Sequence, residues 1–307
     1  TLSLLLLVCF GILLPVSAQA AQAQNTPLDP DDPVMFYGET LEYGGKTITL
    51  GDHDIYIDGT LSDAECAKYD HVYNDFKKAY ESGAMKNGTE TSPMNVWIAP
   101  YVYWIDDPDD PAIREGINGD PVPYGLWMNC SYLSLNGLSD SPENVVLAVN
   151  RGQNAGAKGN FTMFYINGAG THTENLTMGN YCCMDLVYPL KPELNREKRT
   201  STITQSQLCL TNGAKITAEN CNFVSRLNSC PFVGGTRIFF QDCHFECTDD
   251  SLPTSAVYLN CDFDLYSSRP FYNTSGTGSV MLGCDFHIKH NSNQYLTKFD
   301  GVVTIID

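Results

Sequence analysis

A four-residue pattern that returns about every twenty residues constrains the fold of this chain more than any other feature. The pattern starts with Asn, Asp or Gly, continues with Cys and a variable residue, and ends with Phe. It occurs at residues 220–223, 242–245, 260–263 and 283–286, and successive cysteines are 22, 18 and 23 positions apart. An apolar segment precedes each copy, and residues 174–178 (ENLTM) fit the same frame with Leu and Met. Such a period indicates a solenoid.

Two solenoid architectures share this period. Leucine-rich repeats need several leucines and an asparagine ladder in each repeat, and both are missing here. Short strands, polar turns and no recurring helix favour an all-β fold, a right-handed single-stranded parallel β-helix. Cys and Phe two residues apart point to the same side of a strand, so we expect interior columns of Cys and of Phe. Metal or redox chemistry is the alternative role for the cysteines, and their spacing leaves disulfide pairing open.

The N-terminal segment predicts export. Residues 1–20 contain an apolar run, Leu2–Pro15, followed by the small-x-small sequence of Ala18 and Ala20. This is typical of a signal peptide, here truncated at its start because the first residue is Thr1. A membrane anchor is the alternative, but the run is too short to span a bilayer comfortably. We therefore expect a secreted or periplasmic protein that has no membrane contact after signal cleavage.

The remaining chain is divided by its composition into a leader and one long domain. Residues 21–45 are a polar leader, expected to be flexible at 21–35, and residues 46–307 form the predicted β-helix. Ser62 and Glu65 make a capping box before an apolar stripe that ends near Gly83, which predicts one N-terminal capping helix. The terminal VVTII segment resembles an interrupted strand, so we expect the natural protein to continue past residue 307.

Charge and cysteine content exclude several functions. The net charge of −18 argues against a nucleic-acid partner, because phosphate binding needs a basic patch. It also disfavours tight binding of a fully ionised polyuronate unless Ca²⁺ or local Arg and Lys intervene, whereas a methyl-esterified one is largely neutral. Removing Cys9 with the signal leaves 11 of the 12 cysteines, and no zinc-like spacing is present. We expect neither a metal nor another cofactor.

Equivalent offsets in successive coils predict a polar column on one face. Asn228 and Asp250 each follow a repeat cysteine by seven residues, Arg269 follows one by eight, and Gln205 lies one period before Asn228. Their spacing should be about 5 Å from coil to coil. Arg269 would hold Asp250 ionised, and the amides could stabilise an oxyanion. A solvent-exposed column of polar turns is the alternative.

At these residues the sequence resembles the pectin methylesterase (pectinesterase) family, from about residue 60 to 290. The similar segments, in order, are residues 98–106 (IAPYVYWID), 174–180 (ENLTMGN), 205–223 (QSQLCLTNGAKITAENCNF), 239–250 (FFQDCHFECTDD) and 268–271 (SRPF). The resemblance implies a β-helix that hydrolyses methyl esters of pectin with an aspartate nucleophile, an acid/base aspartate and an oxyanion hole of glutamines. It implies pectin or a related polyuronate as the partner.

The resemblance also assigns roles to individual residues. Asp250 would be the nucleophile, Arg269 its partner, Gln205 an oxyanion donor, and Phe271 would replace a substrate-stacking Trp. Tyr266 and Tyr272 are further candidates for substrate contact.

The chain departs from the family pattern at the acid/base position. The acid/base aspartate is replaced by Asn228 and one oxyanion glutamine by Leu227, and residues 251–254 replace the family's FIFG. Asn cannot transfer a proton near neutral pH, and losing a general acid typically costs about 10²–10⁴ in rate.

Three functions follow as alternatives. The first is an esterase on methylated polyuronate with reduced or altered activity. The second is a non-catalytic β-helix that binds plant cell-wall polysaccharide. The third is a glycoside hydrolase on polyuronate, suggested by the paired acids Asp249 and Asp250. A lyase is disfavoured because Arg269 is the one basic residue in the column.

Overall fold

The computed structural model describes residues 22–116 and 119–307, and most of them wind into stacked coils of parallel strands. The longest sheet has ten strands: β4 Asp54–Ile57, β5 Val72–Tyr73, β6 Met94–Ile98, β9 Leu133–Gly137, β14 His172–Glu174, β17 Ala214–Glu219, β19 Thr236–Gln241, β21 Ala256–Leu259, β23 Ser279–Leu282 and β25 Val303–Ile306. The second has seven: β7 Tyr101–Trp104, β10 Val145–Val149, β15 Thr177–Asn180, β18 Asn222–Val224, β20 His244–Cys247, β22 Asp262–Leu265 and β24 Asp285–Ile288.

Shorter sheets complete the cross-section of the coil. Three strands form the third side, β8 Tyr124–Asn129, β13 Phe161–Asn167 and β16 Ser206–Thr211, and two form a small pair, β11 Gly152–Gln153 and β12 Gly156–Ala157. Neighbouring coils pair in parallel, for example His244 with Asp262 and Phe245 with Phe263. The predicted parallel β-helix is confirmed.

The corner between the two long sheets explains the first residue of the repeat. Asn220, Asp242 and Asn260 have φ between 47° and 51°, and Gly283 has φ 57°. In this left-handed region Asn, Asp and Gly are tolerated far better than residues with bulkier or branched side chains. The side-chain amide of Asn220 also donates to Oδ1 of Asn175, which lies at the same corner one coil earlier. The pattern therefore encodes a turn.

The interior columns are those expected from the repeat. Cys221, Cys243 and Cys261 are buried, and Phe245 stacks between Phe223 and Phe263 with ring centroids 5.3 and 4.8 Å away. The cysteines described at this corner are free thiols that contact carbonyl oxygens and one another. They pack as small hydrophobic residues, as predicted.

The predicted single capping helix is wrong. The capping box of Ser62 and Glu65 is present, but it begins a helix of one turn, α1 Asp63–Cys66. Strand β5 then pairs with β4, and a second short helix, α2 Phe76–Glu81, follows. The apolar stripe is interrupted because Val72 pairs with Tyr56 at the edge of the ten-stranded sheet. Two further single turns of 3-10 helix cover Pro142–Asn144 and Pro192–Leu194.

The leader is structured where the structure describes it. Strands β1 Met35–Phe36, β2 Thr40–Tyr43 and β3 Lys46–Thr49 form an antiparallel sheet. Val34 and Phe36 are buried, and the side chain of Asn25 bonds to the backbone of both. Part of the segment that we expected to be flexible, residues 21–35, therefore makes hydrogen bonds through Asn25 and Val34. The predicted signal peptide lies outside the described residues.

Among residues 22–116 and 119–307, no helix has the length and apolar character needed to cross a membrane.

Truncating the central phenylalanine of the column tests the core. Phe245→Ala should lower the free energy of unfolding by about 3–5 kcal/mol, because it removes a fully buried ring stacked on both sides. Chemical denaturation measures this loss. Phe286→Ala is the matched control, since Phe286 ends the column and is half-buried. Equal losses for the two variants would contradict the predicted packing.

Candidate functional site

The structure brings the predicted polar column together. The backbone N–H of Ser206, next to Gln205, donates to the carbonyl oxygen of Leu227, next to Asn228, at 3.1 Å. The N–H of Asp250 donates to the carbonyl oxygen of Arg269 at 3.2 Å. Gln205, Asn228, Asp250 and Arg269 therefore lie on four successive coils, beyond the carboxyl ends of the seven-stranded sheet.

A second left-handed corner forms this column. Asn228, Asp250 and Arg269 have φ values of 55°, 55° and 66°. Asn and Asp tolerate this region, whereas a long side chain such as Arg is uncommon there. Backbone strain of this kind is frequent at functional sites. The corner also breaks the strand alternation that would send Asp249 and Asp250 to opposite faces.

Both aspartates converge on one lysine. Lys298 Nζ lies 2.9 Å from Oδ2 of Asp250 and 3.1 Å from Oδ2 of Asp249. The hydrogen bonds that Lys298 donates to these carboxylates raise its pKa, so it stays charged through neutral pH. The other oxygen of Asp250, Oδ1, is buried without a hydrogen-bond partner, while the side chain as a whole is 21% exposed. Asp250 is thus a partly desolvated carboxylate held from one side.

Lys298 was missed in the sequence because the repeat pattern has no copy after residue 286. The only available signal was its position about one coil beyond Arg269. The backbone shows this relation, since the N–H of Lys298 donates to the carbonyl oxygen of Phe271 at 2.9 Å.

The predicted ion pair between Arg269 and Asp250 is not formed. The guanidinium of Arg269 instead lies over the ring of Tyr295, 5.3 Å from its centroid. Arg269 is exposed, and within the described part of the chain its guanidinium makes no ion pair. The oxygen of Asp250 that Arg269 was expected to contact is instead 2.9 Å from Nζ of Lys298.

The amide end of the column borders a pocket. Asn228 is buried, and its backbone N–H donates to Oγ1 of Thr248 at 2.8 Å. Gln205 and Leu227 line a pocket of about 420 Å³ whose other walls are hydroxyl, amide and small apolar groups. Those walls are formed by Gln153, Asn154, Ala155, Thr200, Thr202, Ile203 and Thr204. This neutral lining suits a sugar ring and offers no charge to a carboxylate.

A second glutamine, Gln207, was not identified from the sequence. Its side chain is buried, accepts from Oγ1 of Thr162 at 2.9 Å and donates to Sγ of Cys230. Because both ends of the amide have partners, it positions the coil beneath Asn228 rather than facing the pocket.

Among the three aromatic residues predicted to contact substrate, only Tyr272 is well exposed, at 50%. Phe271 is fully buried in the core, so its assignment as a stacking residue is wrong. Its side chain faces inward because residue 271 pairs with Leu252 of the preceding coil. Tyr266 is half-buried beneath the guanidinium of Arg226, 4.1 Å from its ring centroid.

A buried acid lies beside this stacked pair. Glu246 in β20 is 9% exposed, and its Oε2 lies 3.2 Å from Nη1 of Arg226. Burial raises the pKa of the Glu246 carboxyl, and the charge of Arg226 opposes this rise. Glu246 faces the outer side of the seven-stranded sheet, because its neighbour Phe245 faces the core.

Metal ligation has no support in the geometry of the described ranges: they contain no group of three or more His, Cys, Asp and Glu side chains arranged to hold an ion.

The raised pKa of Glu246 predicts a pH-dependent stability. The folded protein binds this proton more tightly than the unfolded chain, so the stabilisation is complete below the ordinary value of 4.5 and is lost as pH rises through the folded pKa. Relative to Glu246→Gln, wild type should therefore lose unfolding free energy between about pH 4 and about pH 8. Denaturation at both pH values measures this, with Glu219→Gln as control, because Glu219 is an exposed residue at the end of β17. A wild-type-to-variant difference that is the same at both pH values would contradict the assignment.

Comparisons with known proteins agree with this architecture. A pectin methylesterase in complex with a hexasaccharide matches with a TM-score of 0.50 and 18% identity, over 76% of this chain and 66% of that chain. The pectin methylesterase PemA from Erwinia chrysanthemi gives 0.50 and 17% over the same shares. The enzyme from Aspergillus niger gives 0.50 and 12%, over 84% of this chain and 75% of its own.

These matches show a shared fold at low identity. The chain covers slightly less than two thirds of the length of the first two structures. No protein-family model matches the sequence, and no curated protein matches it. The chain has the β-helix fold of pectin methylesterases.

Proposed function

We propose that this protein acts on methyl-esterified polyuronate, the pectin class of polysaccharide, as a carboxylic ester hydrolase with Asp250 as its nucleophile. The observation that carries the proposal is the environment of Asp250. One oxygen is buried without a hydrogen-bond partner, and the exposed oxygen is held by Lys298. An unpaired buried anionic oxygen is costly, and such costs are typical of functional groups.

The chemistry follows from the residues of the column. The Asp250 carboxylate attacks the ester carbonyl carbon and forms an acyl-aspartate anhydride, and the methoxy group leaves. Water then adds to the anhydride, which releases the uronate carboxylate and regenerates Asp250. The side-chain N–H of Gln205 is the candidate donor to the oxyanion. A neutral pocket beside Gln205 and Leu227 accepts the esterified sugar.

Proton transfer limits the rate of this reaction. The departing methoxide needs a proton, and Asn228 cannot supply one near neutral pH. Lys298 is a poor donor because its pKa is raised. Solvent water must therefore protonate the leaving group, and we expect slow turnover.

A second candidate is a polysaccharide-binding protein without turnover. It is favoured by the same substitution at Asn228, together with exposed aromatic rings at Tyr272, Tyr295 and Phe299. Binding with no product release would support this function.

The glycoside hydrolase hypothesis is disfavoured by Lys298, which lies between Asp249 and Asp250. A glycosidase needs one protonated carboxyl to donate a proton to the leaving oxygen. Lys298 instead donates a hydrogen bond to Oδ2 of both Asp249 and Asp250, so one oxygen of each acid is already engaged as an acceptor.

Removing the nucleophile should abolish the activity. Asp250→Asn should reduce methanol release from highly methylated pectin at least about 10³-fold, because an amide cannot form the anhydride. Methanol, reducing ends and unsaturated products are measured together, and Asp285→Asn on exposed β24 is the matched control. Undiminished methanol release by Asp250→Asn would exclude Asp250 from the mechanism.

Restoring an acid should accelerate the reaction. Asn228→Asp should raise methanol release by about 10²-fold, because a carboxyl at this position can protonate the departing methoxide. Asp also tolerates the left-handed backbone of residue 228. Asn222→Asp in β18 adds the same charge six residues earlier on the same coil and should have little effect. Equal rates for wild type and Asn228→Asp would contradict the lost-acid interpretation.

A further inference from the structure

Two cysteines that are adjacent in sequence, Cys182 and Cys183, follow strand β15 and lie side by side. Cys182 is fully buried, Cys183 is 7% exposed, and both are free thiols. Their side chains hydrogen-bond to each other. The interior columns bring together cysteines of different coils, whereas in this pair two thiols meet within one coil.

The thiol pair lies behind one wall of the neutral pocket. Thr200, Thr202 and Thr204 line that pocket. The N–H of Thr200 donates to the carbonyl oxygen of Cys182 at 3.0 Å, and the thiol of Cys183 donates to the carbonyl oxygen of Thr202 at 3.3 Å. The wall is thus hydrogen-bonded to both cysteines and should respond to a change in either.

The packing around Cys182 leaves little room for its sulfur to move. A Cβ atom added to Gly152 would lie 3.1 Å from Sγ of Cys182 and 2.7 Å from Cγ2 of Thr204. The next residue, Gln153, lines the same pocket. Because protein interiors are close-packed, a sulfur that moves here must displace these neighbours.

The surroundings favour the thiolate of Cys183 over that of Cys182. The hydrogen bond from Cys182 lowers the pKa of the Cys183 thiol, and burial opposes this change. The same hydrogen bond raises the pKa of the Cys182 thiol. The thiolate is the nucleophile in thiol oxidation. Cys183, which also keeps a small exposed fraction, is therefore the attacking thiol, and Cys182 is the thiol that resolves the intermediate.

We propose that Cys182 and Cys183 are a site of reversible oxidation, at which hydrogen peroxide closes a disulfide between the two adjacent residues. The Cys183 thiolate attacks one peroxide oxygen, the O–O bond breaks, and the departing hydroxide takes up a proton to form water. The sulfur of Cys182 then attacks the sulfur of the resulting sulfenic acid, the S–O bond breaks, and the hydroxide combines with the proton of Cys182. Two thiols are oxidised to one disulfide, and the peroxide is reduced to two molecules of water.

A disulfide between neighbouring residues strains the backbone. Consecutive Cα atoms are about 3.8 Å apart, whereas bridged cysteines usually have Cα atoms about 4.4–6.8 Å apart. Strained disulfides are readily reduced, which makes the oxidation reversible. Closing the bond must turn the peptide group between the two cysteines, and this weakens the hydrogen bond from Thr200 to the carbonyl oxygen of Cys182. The pocket wall should therefore loosen in the oxidised protein.

Mass spectrometry of the full chain after treatment with hydrogen peroxide tests the site. The treated protein is denatured, its remaining thiols are alkylated, and the peptide with Cys182 and Cys183 is compared with the peptide that contains Cys209. Cys209 is the matched control, because it is a fully buried thiol in β16. The peptide with the pair should lose two alkylation sites and the mass of two hydrogens, and dithiothreitol should restore both. The Cys209 peptide should remain alkylated.

Removing the resolving thiol should trap the intermediate. In Cys182→Ser, and in Cys182→Ala as a second variant, Cys183 should remain a sulfenic acid that dimedone labels. Circular dichroism checks that each variant folds.

Hydrogen exchange measures the pocket wall. The amide of Thr200 should exchange about tenfold faster in the oxidised than in the reduced protein, because its acceptor is the carbonyl oxygen of Cys182. Methanol release from pectin should fall in parallel and recover with dithiothreitol, and this consequence alone rests on the proposed function.

The outcomes separate this inference from the proposed function. A peptide that stays alkylated at both thiols, or that gains oxygen on Cys183 without forming a disulfide, would overturn the site. An unchanged exchange rate at Thr200 in the oxidised protein would overturn its link to the pocket wall. If the reduced protein releases no methanol from pectin, the proposed function fails, while the disulfide and the exchange rate still decide this inference.

Discussion

The in-register stacking of left-handed corners is the constraint on which the rest of this structure depends. Each coil turns at a residue that tolerates positive φ, and the next coil repeats the turn directly beside it. The corner at Asn220 and Asp242 brings the cysteines and phenylalanines into the core. The corner at Asn228 and Asp250 places polar side chains in a second column, on successive coils. The same backbone feature, a corner residue with positive φ that repeats from coil to coil, therefore forms both the interior columns and the candidate site.

The same corner explains why two adjacent acids can share one cation. On a regular strand Asp249 and Asp250 would face opposite sides. The positive φ of Asp250 redirects its side chain, and both carboxylates reach Lys298. Charge repulsion between the acids is offset locally, and one oxygen of Asp250 remains without a partner. The environment of Asp250 follows from backbone geometry and from Lys298, and it includes no contact with the guanidinium of Arg269.

The period of the repeat was sufficient to predict the coil and the order of the column, because parallel strands in register convert sequence spacing into spatial contact. It could not predict side-chain direction at the ends of the column. Phe271 was assigned by analogy with a stacking Trp, yet pairing with Leu252 turns it into the core. The apolar stripe before Gly83 fits a helix. In the structure, however, Val72 pairs with Tyr56 at the edge of the ten-stranded sheet and is part of a strand. In both cases the pairing with a neighbouring coil determined the conformation or side-chain direction, which the local sequence pattern could not predict.

Lys298 and Arg269 have different partners. Lysine is a compact point charge that can bridge two carboxylates, whereas arginine has a planar fork suited to one carboxylate in two-point contact. With Lys298 on Asp250, the guanidinium of Arg269 lies on Tyr295 and faces solvent. The segment 295–299 supplies the lysine, Tyr295 and Phe299 together. The cation that holds Asp250 and the exposed aromatic side chains beside it therefore belong to one coil, so a change in that coil alters both the contacts of Asp250 and the neighbouring surface.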